Sequence, residues 1–235
     1  MNLLDNFWHA LRLLLTADAD LWQIIGLSLR TAMLALMIAT PIALFCGYQL
    51  ATYRFYGRRF VIWLIQASLS FPTVLIGLLL YLLLSRQGYL GTWHWLFSSK
   101  ALVFGQALIA LPILIAFIFT AVQACDQRIA ETAISLGASP WQVMWTVLRE
   151  ARFAVIAAVI HAFGRVISEV GCAMMVGGNI AGETRTMTTA IALETSKGEF
   201  AQGIALGLVL LVTALVMNAI LLVLQGDAGQ SGRAL

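Results

Sequence analysis

Glu131-Thr132-Ala133-Ile134-Ser135-Leu136-Gly137-Ala138-Ser139-Pro140-Trp141 is the stretch on which the fold turns. It reads as a short helix, a glycine break and a newly capped helix, set in a chain otherwise made for lipid. Gly137 takes the left-handed backbone that ends a helix at least steric cost. Ser139 suits the cap of the next helix, and Pro140 suits its first turn, where the missing N–H has no intrahelical partner to lose. Two short helices therefore meet at a fixed angle. A rigid knuckle on the polar side of a membrane protein is the shape of a docking lever.

The composition supplies the lipid. Of 235 residues, 61% are apolar and 11% charged, and the mean hydropathy is +0.90. Ordinary soluble domains carry about 45–50% apolar and about 25% charged residues. Apolar segments fall at roughly 22–50, 59–84, 101–124, 153–176 and 201–224, each long enough for the roughly 20 residues that cross a hydrocarbon core. The expected fold class is thus an all-α integral membrane protein with about five transmembrane helices, in a single transmembrane domain over residues 1–235. Residues 1–20 hold Asp5, Asp18 and Asp20 and lack the pattern of a cleavable signal. Leu4, Phe7, Trp8, Leu11 and Leu15 recur at helical spacing, which predicts an amphipathic helix over 3–15 lying in the membrane interface.

Cys46, Cys125 and Cys172 are isolated, so neither a disulfide framework nor a metal cluster is expected. The net charge of +3 comes from cations scattered over several loops rather than from one patch, which argues against nucleic-acid binding. Their distribution orients the chain. Arg54, Arg58, Arg59, Arg128, Arg149, Arg152 and Arg233 fall on one side, and Arg12, Arg86, Lys100, Arg185 and Lys197 on the other. By the positive-inside rule the first set is cytoplasmic, the N-terminus is outside and the C-terminus inside. The segment 125–152 becomes a cytoplasmic loop and 177–200 an extracytoplasmic one.

Pro41, Pro72 and Pro112 lie within or at the ends of spans, where a proline frees a carbonyl that a neighbour must satisfy. Ser70-Phe71-Pro72-Thr73 predicts the sharpest kink, either bordering a pathway or packing helices. The segment 177–200 reads polar, apolar and polar again. Asn179, Thr184, Arg185, Thr186, Thr188 and Thr189 are its candidates for meeting an anion. It is either an ordinary outer loop or a segment dipping into the membrane edge.

Two constellations carry the functional reading. Along the first knuckle helix, Ile129, Ala133 and Leu136 form a narrow apolar stripe suited to a groove in a partner, with Glu131 elsewhere on the helix. The following helix sets Trp141, Trp145 and Leu148 on one face. A hairpin anchored at the interface by tryptophan is the plainer alternative. Inside the fourth span, His161, Arg165 and Glu169 follow at i, i+4 spacing. A central Arg at membrane depth costs from about 2.5 kcal/mol on insertion scales to more than 10 in simulations, so these groups must face protein or water. Arg165 and Glu169 either neutralise each other and hold helices in register, or attract and orient an anion. The two readings are compatible.

The spacing Glu131-Thr132-Ala133, three residues, Gly137 resembles the EAA loop of bacterial ABC importer permeases. Arg149-Glu150 departs from the Leu-Pro pair that commonly closes that pattern. His161-Ala162-Phe163-Gly164-Arg165, Ser168-Glu169-Val170-Gly171, Val176-Gly177-Gly178-Asn179-Ile180 and Thr184 to Glu194 are similar to permeases of tungstate importers, and less closely to those of molybdate importers. The resemblance covers about the C-terminal half. It implies a type I importer permease fold and residues Glu131, Ala133, Leu136, Gly137, Ala138, Ser139 and Pro140 as the ATPase contact; Pro72, Thr73, His161, Arg165 and Glu169 stand beside it as the pathway or helix-pairing candidates read from the residues themselves. It implies a second copy of the chain, two cytoplasmic ABC ATPase subunits and an extracytoplasmic tungstate-binding protein, in a bacterial cytoplasmic membrane. No nucleotide-binding motif occurs in the chain. It is therefore expected to bind no cofactor and not to be an enzyme itself, with ATP and Mg on the partner ATPase.

Overall fold

The computed structural model describes residues 19–231, together with Trp8 and Arg12, with side chains as far as Val223. The amphipathic helix expected over 3–15 and the tail residue Arg233 lie outside the described residues. The elements are α1 (Ala19–Thr52), α2 (Arg58–Ser68), α3 (Thr73–Leu84), α4 (Ser99–Ala124), α5 (Gln127–Ser135), α6 (Pro140–Glu150), α7 (Arg152–Ile167), α8 (Gly171–Gly177), α9 (Met187–Lys197) and α10 (Phe200–Ser231). A single 3₁₀ turn at Gly91–Trp93 lies between α3 and α4. Helices α1, α4 and α10 are each long and apolar enough to cross a membrane. The count reaches five spans when two bent pairs are included, α2 with α3 at 101° and α7 with α8 at 62°. The protein is an all-α, multi-pass membrane protein, and the expected second and fourth spans are broken rather than continuous.

Each break has a local chemical cause. After Ser68 the N–H groups of Leu69, Ser70 and Phe71 turn back to Gln66, Ala67 and Ser68 carbonyls, tightening the helix to its end. Pro72 (φ −60°, ψ 117°) follows, and its carbonyl accepts from Leu75 and Ile76 to open α3. At the other break the Ser168 hydroxyl donates to the Gly164 carbonyl at 2.9 Å and the Arg165 carbonyl at 3.1 Å. A serine that back-bonds in this way competes with the helical ladder and bends it. Helix α7 stops at Ile167, so Glu169 stands beyond its end. The expectation of His161, Arg165 and Glu169 on one continuous helical face is corrected accordingly.

Residue contacts gather into two units, each drawing on three chain segments: residues 1–35, 72–109 and 163–217 in the first, and 36–71, 110–162 and 218–235 in the second. In the first unit the two inner halves of the broken spans meet, α3 lying against α8 through glycines. A Cβ on Gly77 would come within 2.7 Å of the Cys172 Cα, and one on Gly171 within 2.5 Å of Val74 Cγ2. Small residues that let backbones approach are the usual device for association in lipid, where apolar side chains gain nothing by leaving the solvent. Leu80, Leu84, Leu102, Cys172, Ala173 and Val176 are buried in this unit. In the second unit Gly47 of α1 meets Ile118 of α4, and Val143, Met144, Val147 and Leu148 form the buried face of α6. Outward apolar residues of α10, among them Leu211, Val212 and Leu215, are exposed as lipid permits.

The glycine contact generates a prediction. Gly77→Ala forces the α8 backbone to move and lowers the stability of the detergent-purified protein by about 1–3 kcal/mol, read as a fall in its thermal midpoint. Gly26→Ala, with no atom within 4 Å of the added carbon, leaves that midpoint unchanged or slightly raised.

Candidate functional site

The knuckle is a set of interlocking caps. Asp126 opens α5 by accepting the Arg128 N–H at 2.9 Å. At its end the Ala138 N–H reaches the Ala133 carbonyl at 3.0 Å, and the Gly137 N–H reaches that of Ile134 at 2.9 Å. This is the paired closure of a Schellman motif, with Gly137 in the left-handed position at φ +80°. Open space surrounds Gly137, so backbone conformation rather than crowding requires glycine there. Ser139 and Gln142 then form a reciprocal capping box: the Gln142 N–H donates to Ser139 Oγ at 3.5 Å, and the Ser139 N–H donates to Gln142 Oε1 at 2.7 Å. Pro140 occupies the first turn as expected.

None of the residues of α5 is buried, and Glu131 is exposed. The apolar stripe, however, lies differently from the expected one. Ile129 and Ala133 are half-buried, whereas Ile134 and Leu136 stand 61% and 82% exposed. The outward apolar pair is therefore Ile134 with Leu136. Nine residues are too few for periodicity alone to decide which of two adjacent stripes faces out. Beneath the knuckle a cavity of about 380 Å³ is lined by Tyr48, Thr52, Tyr53, Ile134, Ala138 and Pro140. Trp141 and Trp145 meet edge to face at 5.8 Å on the exposed side of α6. Beside α5, burial pushes the Cys125 thiol up from its ordinary range, and the Glu150 carboxylate adds to that rise.

Arg165 and Glu169 come together at the second break. Arg165 Nη1 donates to Glu169 Oε2 at 2.7 Å, with the Arg side chain 40% exposed and the Glu side chain 2% exposed. The other carboxylate oxygen, Oε1, accepts the Cys172 N–H at 3.0 Å and so satisfies an orphan donor at the start of α8. The Thr188 hydroxyl donates to the Glu169 carbonyl at 2.7 Å. One residue thereby ties the end of α7, the start of α8 and α9 in place. His161 takes no part: its ring lies 4.9 Å from that of Phe117 on α4, in the second unit. Pro72 caps α3, and Thr73 is its first residue.

The threonines of the expected outer loop are folded inward. Thr184, Thr186, Thr188 and Thr189 are all buried. The Thr184 hydroxyl donates to the Gly177 carbonyl at 2.6 Å and accepts the Ile180 N–H at 2.9 Å. Thr186 and Thr189 form a capping box at the start of α9, and the Met187 N–H donates to Ser28 Oγ of α1 at 2.8 Å. Asn179, itself left-handed at φ +53°, donates from Nδ2 to the Thr189 carbonyl at 3.3 Å. Among the described residues, Asn179 Oδ1 and Arg185 Nε are buried without a hydrogen-bond partner. The hydroxyls named as anion contacts thus hold the segment together in this structure. Among the same residues no group of three or more His, Cys, Asp or Glu is placed to hold a metal ion.

Residues 20–227 match the family described as the binding-protein-dependent transport system inner membrane component. The tungstate uptake system permease protein TupB of Campylobacter jejuni is 43% identical over 92% of this chain and 90% of its own. A probable anion ABC transporter permease protein of Haloferax volcanii is 40% identical over 83% of this chain and 86% of its own. In fold, the chain is similar to a solved bacterial ABC transporter involved in the import of the acidic polysaccharide alginate, with a TM-score of 0.69 over 95% of this chain and 83% of that one, at 17% identity. The architecture is the type I importer permease fold.

The asymmetry of the ion pair predicts unequal mutants. Arg165→Ala strands a buried carboxylate and costs about 1–3 kcal/mol of stability. Glu169→Gln keeps an acceptor for the Cys172 N–H and leaves an arginine that is already part-exposed, so it costs less. The double variant recovers part of the Arg165→Ala loss, and thermal denaturation of all four proteins measures the coupling.

Proposed function

The chain belongs to the family of binding-protein-dependent transport system inner membrane components and is a permease of an ABC importer; from that premise we propose that it carries tungstate into the cytoplasm. The observation that supports this cargo is its identity to the Campylobacter tungstate permease along nearly the whole chain. In this reading two copies enclose the pathway, each knuckle seats on one cytoplasmic ABC ATPase, and an extracytoplasmic binding protein delivers the oxyanion. ATP and Mg belong to the ATPase, and the permease itself performs no chemistry. The cation distribution supports an external N-terminus and a cytoplasmic C-terminus in a bacterial cytoplasmic membrane.

The geometry explains how such a subunit would transmit force. Glu131, Ala133, Leu136, Gly137, Ala138, Ser139 and Pro140 form the contact, with Ile134 and Leu136 as the apolar teeth that enter the ATPase groove. Because the turn between α5 and α6 is locked by the Schellman closure and the capping box, a displacement of α5 carries α6 with it. Helix α6 passes through Ala151 directly into α7, and α7 ends at the break pinned by Arg165 and Glu169. Nucleotide state can drive transport only by changing the relative energies of outward- and inward-open forms. Along the route, Arg165 is neutralised by Glu169, so a dianion passes without being trapped. Discrimination among oxyanions then falls to the binding protein.

Two experiments test these statements. In proteoliposomes holding the permease and its ATPase, tungstate-loaded binding protein raises ATP turnover and uptake, and molybdate, sulfate or phosphate at equal concentration competes weakly. Preferential uptake of one of those instead would replace tungstate as the cargo. Gly137→Asp, which must hold φ near +80° with a side chain, uncouples the ATPase while the protein still inserts in the membrane. Wild-type uptake by that variant would remove the knuckle from the transmission path.

A further inference from the structure

We propose that the loop between α1 and α2, with the groove beside it, is a binding site for an anionic phospholipid. Helices α1 and α2 are apolar, so residues 53–57 that join them lie where hydrocarbon gives way to water. The run Tyr53-Arg54-Phe55-Tyr56-Gly57-Arg58-Arg59-Phe60 interleaves aromatic rings with three guanidinium groups. Aromatic and basic side chains are the residue types that sit comfortably at headgroup level. Phe60 and Trp63, stacked at 5.8 Å and both exposed, extend that belt along α2.

The three arginines do different things. Arg58 is committed to the fold: its Nε donates to the Leu50 carbonyl at 2.8 Å and an Nη to that of Ala51 at 3.4 Å, capping the end of α1. Its guanidinium also lies 5.7 Å from the centre of the Phe119 ring. Arg54 and Arg59 are exposed, and neither belongs to an ion pair among the described residues. With Phe55 and Tyr56 they line a concavity of about 570 Å³.

Directly beside this cradle is a second cavity of about 250 Å³, whose apolar lining includes Leu50, Ile62, Ile65, Leu69, Phe117 and Phe119. Arg58 is the wall between the two, because Leu50 and Phe119, which it touches, line the apolar cavity. A charged cradle at the membrane surface thus borders an apolar slot on the other side of Arg58. That pairing fits an amphiphile with an anionic head and an acyl chain. A free phosphate has no use for the slot, an acidic protein surface would leave it empty, and a zwitterionic lipid carries no net charge for Arg54 and Arg59. The site does not depend on which oxyanion is transported.

Native mass spectrometry of the full-length chain in detergent, titrated with phosphatidylglycerol or phosphatidylcholine of the same acyl composition, tests the proposal. Phosphatidylglycerol is expected to bind about thirtyfold more tightly, from the roughly 1 kcal/mol that each of the two surface arginines contributes toward anionic lipid. The double variant Arg54→Gln, Arg59→Gln brings it down to the phosphatidylcholine level, whereas Arg54→Lys, Arg59→Lys keeps most of the preference. Ile65→Trp, which fills the slot, weakens phosphatidylglycerol binding without touching the charges. Equal binding of both lipids, or an unaltered preference in the glutamine variant, would overturn the proposal. So would displacement of the lipid by inorganic phosphate at the same free concentration. Loss of ATPase association with unchanged lipid binding in the glutamine variant would reassign the arginines to a protein contact.

Discussion

A peptide group inside hydrocarbon has no water to bond to, so any helix that breaks at membrane depth must bring partners for the donors and acceptors it frees. Two apolar helix pairs, α2 with α3 and α7 with α8, break in this way, and the structure is organised around how they are satisfied. At the first break, carbonyls are taken up by a tightening turn and donors are removed by Pro72. At the second, Glu169 is the partner: one carboxylate oxygen takes the Cys172 N–H in the first turn of α8 and the other takes Arg165. The charge of each group is balanced by the other, so an expensive buried carboxylate becomes affordable where it is needed as a cap.

Two pieces of the molecule are closed by their own contacts. The inner halves α3 and α8 are joined through Gly77 and Gly171 at backbone distance, leaving little room for sliding. The α5–α6 knuckle is closed at its turn by four hydrogen bonds between its own residues. In the proposed mechanism, such closed pieces let force applied at the knuckle arrive as a change of helix direction rather than as local melting.

How much of this was legible in the sequence varies with the range of the interactions. The turn of the knuckle was legible, because Gly137, Ser139 and Pro140 act on neighbours one to five residues away. The Pro72 break was legible for the same reason. The Ser168 break was not, since a serine in a span is compatible with an unbroken helix until its hydroxyl chooses a backbone carbonyl. Expecting Glu169 on the helix was the result, although its pairing with Arg165 survived. The inward direction of Thr184 to Thr189 depends on partners outside that segment, the Gly177 carbonyl for Thr184, the Glu169 carbonyl for Thr188 and Ser28 Oγ for the Met187 N–H, which no local pattern encodes. One signal was available: Thr186 and Thr189 stand three apart ahead of an apolar run, the spacing of a capping box. The exchange of Ile129 and Ala133 for Ile134 on the outer face of α5 reflects the short length of that helix.

The central claim is that the knuckle moves as a rigid lever whose displacement reaches the second break. Spin labels at Thr132 and Thr146 report across the knuckle, and labels at Thr132 and Ser196 report from the lever to the end of α9; all three positions are exposed. Electron-electron distance measurements on the assembled complex, nucleotide-free and ATP-bound, should show the first distance unchanged and the second shifted. A change across the knuckle with a constant distance to α9 would contradict the account.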